Sequence, residues 1–100
     1  MKKPVIFRTE ATEEVDEIAV WYEKQKATLG AQFIQNLDRT IEKFSCNPES
    51  YPIVYRQARM ALLHQFPYLV IYCVFPDFIS VIAVMHGKRH SSRWQSRLTP

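Results

Sequence analysis

Glycine is scarce: Gly30 and Gly87 are the only two in 100 residues, while aromatic residues make up 13%. That balance excludes a flexible linker or a low-complexity segment. Cysteine is scarce too. Cys46 and Cys73 are too few for the disulfide framework of a small secreted domain, and their spacing fits no zinc motif. Both are read as free, buried thiols. Long hydrophobic runs are missing. Leu69–Phe75 and Phe78–Met85 are separated by Pro76-Asp77, and neither approaches the roughly 18 residues of a membrane span. Val5, Ile6 and Phe7 are too few to form the apolar region of a signal peptide. The expectation is a cytoplasmic protein with no membrane contact. A chain of this length has room for one core, so residues 1–100 are expected to form a single domain.

Acidic residues are almost missing from the second half. The first fifty residues hold seven Lys or Arg against nine Asp or Glu; the last fifty hold six against Asp77 alone. His64, His86 and His90 lie in that half as well. Such polarity suits an anionic partner, either nucleic acid or an acidic protein segment.

What is present reads as an α+β domain. Val5–Phe7 is a short strand candidate. Thr12 is the expected helix cap, with Glu13, Glu14 and Asp16 favouring the positive end of the helix dipole. Val15, Ile18, Ala19 and Tyr22 repeat as one buried stripe, flanked by Trp21. Gly30 is the expected left-handed terminator. Phe33, Ile34, Leu37, Ile41 and Phe44 then mark a second helix from about Ala31 to Cys46, stopped by Asn47-Pro48. The short link demands an antiparallel helix hairpin. After a loop at Glu49–Pro52 come Ile53–Arg56, Arg59–Phe66, Tyr68–Phe75 and Phe78–Met85, with Pro76-Asp77 as a turn. They predict an antiparallel β-meander. In Arg59–Phe66, Met60, Leu62, His64 and Phe66 are expected on one side.

The meander is apolar on both faces. Leu69, Ile71, Cys73 and Phe75 oppose Val70, Tyr72 and Val74; Phe78, Ser80, Ile82 and Val84 oppose Ile79, Val81, Ala83 and Met85. A helix hairpin covers one face only. The other needs the C-terminal tail, a second copy, another chain, or a twist strong enough to wrap the sheet on itself.

The densest chemistry is His86-Gly87-Lys88-Arg89-His90, followed by Arg93, Trp94 and Arg97. Arg56 and Arg59 enter the meander at its start, and an antiparallel sheet can bring distant residues to one end. Gathered guanidinium groups bind phosphate through planar forks of donors, and Trp94 can stack on a base. A solvated basic tail is the plainer alternative. His86 and His90 have a metal spacing only on a helix, which Gly87 and the preceding strand oppose, so no metal or cofactor is expected. Imidazole also suits general acid–base work, whereas His64 reads as a packed histidine.

An ordered set of short motifs spans almost the whole chain. Ala19-x-Trp21-Tyr22-Glu23 leads through Leu29-Gly30-x-x-Phe33 to Leu37-Asp38. Pro48-x-x-Tyr51-Pro52 and Arg59-x-Ala61-Leu62 precede Phe66-Pro67-Tyr68-x-Val70-x-Tyr72-x-Val74 and Ile82-x-Val84-x-His86-x-x-Arg89. In this the chain resembles toxins of the RelE/ParE superfamily, from type II toxin–antitoxin (plasmid stabilisation) systems. The resemblance implies the same strand, helix hairpin and antiparallel sheet, together with an acidic antitoxin that wraps the toxin. Val70, Tyr72 and Val74 are the expected antitoxin-facing residues. Two activities are implied. ParE-like members inhibit DNA gyrase; His86-Gly87-Lys88-Arg89 resembles their strand ending, and this branch is favoured. RelE-like members cut mRNA on the ribosome, which needs a base, an acid and positive charge on the phosphate. Leu69 stands where such members often carry Arg, and Trp94 stands near their C-terminal tyrosine. A third reading is a member that only binds its antitoxin. Target binding is expected at Arg56, Arg59, Lys88, Arg89, Arg93 and Trp94. A nuclease would draw its catalytic residues from Arg56, Arg59, His86, Arg89 and His90.

Overall fold

The computed structural model describes residues 2–88 and 92–98. Its elements are β1 (Val5–Phe7), α1 (Thr9–Gln25), α2 (Leu29–Cys46), a 3-10 turn (Pro48–Ser50), β2 (Ile53–Tyr55), β3 (Ala58–Leu62), β4 (Tyr68–Val74), β5 (Ile79–His86) and a C-terminal 3-10 segment (Ser92–Leu98). One five-stranded sheet runs β1-β5-β4-β3-β2. β2 to β5 form the antiparallel meander, and β1 returns parallel to β5. This is the α+β arrangement the periodicities predict.

β1 passes into α1 without a loop. The Arg8 N–H donates to the Val81 carbonyl as the last rung of the ladder, while the Arg8 carbonyl already accepts from Thr12 N–H. Thr12 is therefore internal to the helix rather than its cap. Only Glu10 lies in the first turn. The free backbone N–H groups there, with Arg8 beside it, hold the Glu10 carboxyl below its ordinary range.

Gly30 has a different task from the one its position suggests. It lies inside α2, where a Cβ would sit 2.6 Å from the Ala19 carbonyl oxygen. No side chain fits that crossing, so glycine is what lets α2 close on α1. The left-handed position falls on Thr28, with φ 72°. Glu23 holds the link: Oε2 accepts from Thr28 N–H at 2.9 Å and Oε1 from Gly30 N–H at 3.0 Å, covering N–H groups at the start of α2.

Both helical stripes land on the sheet. Val15, Ile18 and Tyr22 of α1 and Phe33, Leu37 and Phe44 of α2 pack with Val70, Tyr72, Ile79 and Val81. Phe44 stacks on Tyr72 at 4.1 Å between ring centroids and 5° between planes, and Tyr51 meets both edge-on. The Tyr72 hydroxyl donates to the Pro48 carbonyl at 2.6 Å. Burial pushes the Tyr72 phenol up to about 12.

Val70 and Tyr72 are therefore sealed beneath the helices, both 0% exposed, and Val74 packs against the same core. That corrects the expectation that these three face an antitoxin. Leu69, Ile71 and Cys73 lie on the opposite face, where they pack with Trp94 of the C-terminal segment.

Strict alternation also fails in β5. Ile71 pairs with Ala83 but Tyr72 pairs with Val81, so Ile82 is an extra residue at a bulge. Val81 and Val84 consequently share the helix face, while Ile82 and Ala83 both turn to the other. The alternation expected for Arg59–Phe66 stops where β3 ends at Leu62. Leu62 is exposed, Leu63 is buried, and Phe66 joins the rings of Tyr22 and Phe33. Cys73 is buried as expected, but Cys46 is exposed at the end of α2.

Candidate functional site

The second sheet face is built by period-two alternation. Met60 of β3, Leu69, Ile71 and Cys73 of β4, and Ala83 and Met85 of β5 all point away from the helices. The C-terminal segment crosses this face and lays Trp94, 6% exposed, and Leu98 upon it. The tail is thus one cover that an apolar second face requires. The cover is partial. A groove of about 420 Å³ remains between Trp94 and Gln95 on one side and Val54, Met60, Leu69 and Met85 on the other.

A part-buried ion pair anchors the segment. Arg97 donates through both guanidinium nitrogens to the Glu14 carboxylate, at 3.1 and 3.0 Å, and also to the Ile82 carbonyl at 2.9 Å. Glu14 Oε1 accepts from Val84 N–H at 3.0 Å. The pair thereby satisfies the backbone groups on either side of the bulge, beyond the point where β1 stops pairing with β5. The planar fork of arginine suits this double duty.

The other cationic candidates do not converge. Arg59 pairs with Tyr72, which pairs with Val81, whereas His86 pairs with Tyr68. Five residues of β5 separate the two rungs, about 16 Å at roughly 3.3 Å per residue. Arg59 donates to the Glu49 and Tyr51 carbonyls at 3.0 and 2.6 Å, so it fixes the loop before β2. Arg56 takes a positive φ of 52° at the β2–β3 turn and folds over its neighbour Tyr55, with its guanidinium carbon 5.4 Å from the ring centroid. Tyr55 in turn meets Trp94 edge-on at 5.7 Å. Arg56 and Trp94 are thus brought to one border of the groove.

At the far end His86 stands edge-on to Tyr68 at 5.2 Å, and its Nδ1 accepts from Lys88 N–H at 3.0 Å. Lys88 and Arg93 are exposed. Arg89 and His90 lie outside the described residues. His64 is exposed rather than packed. The Arg97–Glu14 clamp and the Ile82 bulge had no local signal, because both depend on chain segments about eighty residues apart.

Residues 5–90 match the sequence model of the family described as "ParE toxin of type II toxin-antitoxin system, parDE". The chain belongs to the ParE toxin family. No curated protein sequence matches it. Among solved structures, a chain of the "Chromosomal ParDE TA system from P. aeruginosa" superposes with a TM-score of 0.75 at 12% identity, over 85% of this chain and 96% of that one. At that identity the likeness speaks for a shared ParE fold. Among the described residues of this ParE-family chain, no helix is long and apolar enough to cross a membrane.

Proposed function

We propose that this ParE-family toxin arrests growth by inhibiting DNA gyrase in the cytoplasm and is neutralised by a cognate acidic antitoxin. The dispersal of Arg56, Arg59 and His86, the nuclease candidates among the described residues, carries this reading over ribosome-dependent mRNA cleavage. A nuclease site needs a base, an acid and positive charge around one phosphate. Arg59 is held by two carbonyls, and His86 stands at the other end of the sheet. Tyr72, with its phenol at about 12, trades no proton near neutral pH. Arg56, Lys88 and Arg93 remain as the target-binding set, with Arg89 assigned to it from the sequence; Trp94, 6% exposed, is packed on the sheet instead.

The antitoxin is assigned to the groove beside Trp94 and the neighbouring edge, where Ile53, Val54 and Leu62 are exposed. An apolar segment bearing acids suits this face, because the last fifty residues carry one acid against six Lys or Arg.

Controlled expression tests the activity with two readouts, plasmid supercoiling by gyrase and mRNA integrity. The expected result is lost supercoiling with intact mRNA. Replacing Lys88 and Arg93 together by Ala is expected to weaken the arrest, and His86→Gln to leave mRNA intact as in the parent. Fragmented mRNA with normal supercoiling, abolished by His86→Gln, would overturn the proposal in favour of a nuclease.

A further inference from the structure

A second cleft, away from the tail, is lined by cations without acids. Asn36, Arg39, Thr40 and Lys43 follow i, i+3, i+4, i+7 along α2 and so share one flank of the helix. The flank meets the turn after β3. Asn36 is 95% buried, and its Oδ1 accepts from His64 N–H at 3.1 Å and Gln65 N–H at 3.5 Å. This bond fixes the turn against α2 and brings His64 to the cleft that Arg39 and Lys43 line, a cavity of about 470 Å³. Thr40 donates to the Asn36 carbonyl at 3.0 Å and holds the wall.

The cleft offers donors and no carboxylate. No Asp or Glu lines it. Glu42, one position from Lys43, is paired with Lys2. Arg8, Arg56, Arg59 and Arg97 each hold a partner, whereas among the described residues Arg39, Lys43 and His64 have none for their side chains. With its Oδ1 engaged, Asn36 has only the two N–H donors of Nδ2 left, and these too have no acceptor among the described residues. Like charges at i and i+4 repel across a helix turn, and the His64 imidazole lines the same cleft. An anion seated among them removes that repulsion.

We infer that this cleft binds the phosphate group of a nucleotide. Arg39 supplies the fork that matches phosphate oxygens, Lys43 a point charge, and Asn36 a neutral donor from a buried position. The volume exceeds that of a bare phosphate, and Leu62 and Tyr51 give an apolar flank for the attached nucleoside. The phosphate can come from a free nucleotide or from a polynucleotide strand. The site is independent of the gyrase reading, because its test reads binding and not growth arrest.

The test titrates the full isotope-labelled chain with adenosine monophosphate and, separately, with a ten-nucleotide single strand, following the amides of His64 and Gln65 by NMR. Arg39→Ala with Lys43→Ala is expected to weaken binding at least tenfold, with Arg39→Lys intermediate. Lys24→Ala with Lys26→Ala removes equal charge elsewhere on the surface and is expected to change affinity less than twofold. An unchanged thermal midpoint confirms that the exposed substitutions leave the fold intact. Saturable shifts with the mononucleotide assign a free nucleotide; shifts with the strand alone assign a polynucleotide; both support the site. Equal losses from the two double variants, or no shift at His64 with either probe, would overturn it.

Discussion

The two faces of the sheet are equally apolar but closed by different means. On the first, two helices of 17 and 18 residues lay down complete stripes, and the Phe44–Tyr72 stack fills the space between layers. On the second, one seven-residue 3-10 segment contributes Trp94 and Leu98 and leaves a groove. The first face is therefore part of the cooperative core. The second is covered by one short segment that the Arg97–Glu14 pair ties to α1, the kind of cover that opens without global unfolding.

The largest effect expected from this contrast is at Phe44. Its side chain is fully buried, so Phe44→Ala loses transfer free energy and leaves a cavity beside Tyr72, a cost of about 3–5 kcal/mol. Trp94→Ala removes a larger ring, yet one that borders the groove rather than the helix-covered core. Its cost is expected at about 1–2 kcal/mol by urea denaturation, because the tail lifts while the core persists. Equal losses at the two positions would show the tail to be as integral to the fold as the helices.

Alkaline pH separates the faces by another route. The Tyr72 phenol ionises near about 12 when folded, against roughly 10 when unfolded. The folded state therefore keeps its proton where the unfolded chain has lost it. Stability from this group is intact below pH ~10 and declines as pH rises toward 12, by on the order of 2 kcal/mol. Tyr72→Phe is expected to start less stable, having lost the bond to Pro48, and to show a shallower decline over the same range. Denaturation at stepped pH measures both, and an equally steep decline in the variant would mean that other groups cause it.

These two faces also show where sequence reasoning stops. Val15, Ile18 and Tyr22, then Phe33, Leu37 and Phe44, were legible because a helix repeats its own geometry every turn. The strands were legible for the same reason, and so was the need for a cover on the second face. What was not legible depends on backbone groups that meet across the chain. Gly30 marks a helix crossing set by the Ala19 carbonyl. Ile82 breaks the alternation because Glu14 and Arg97 satisfy the bulge from elsewhere. Arg59 looks in sequence like any surface cation, and only the path of the loop shows it holding two carbonyls. Asn36 is a polar residue within an apolar helix face, a signal that was present in the sequence and becomes meaningful only beside the turn it holds.

The clamp itself gives the smallest effect on stability and the sharpest view of the second face. The Arg97 and Glu14 side chains are 17% and 27% exposed, so solvent screens the pair only in part. Arg97→Ala is expected to cost about 1 kcal/mol globally, after allowing for that screening. Its local effect is larger, since this pair ties the C-terminal segment to α1. The two cysteines report on this without further substitution. Cys46 is exposed at the end of α2, while Cys73 lies beneath the second face, where burial pushes its thiol up and keeps it unreactive. A thiol reagent at pH 8 is expected to label one cysteine of the parent quickly and the second slowly. In Arg97→Ala the Cys73 phase should accelerate severalfold while the Cys46 phase stays as it was. In Phe44→Ala, labelling of Cys73 should instead follow global unfolding and track urea stability. If Arg97→Ala leaves the Cys73 rate unchanged, the ion pair does not hold the tail, and the second face stays closed without it.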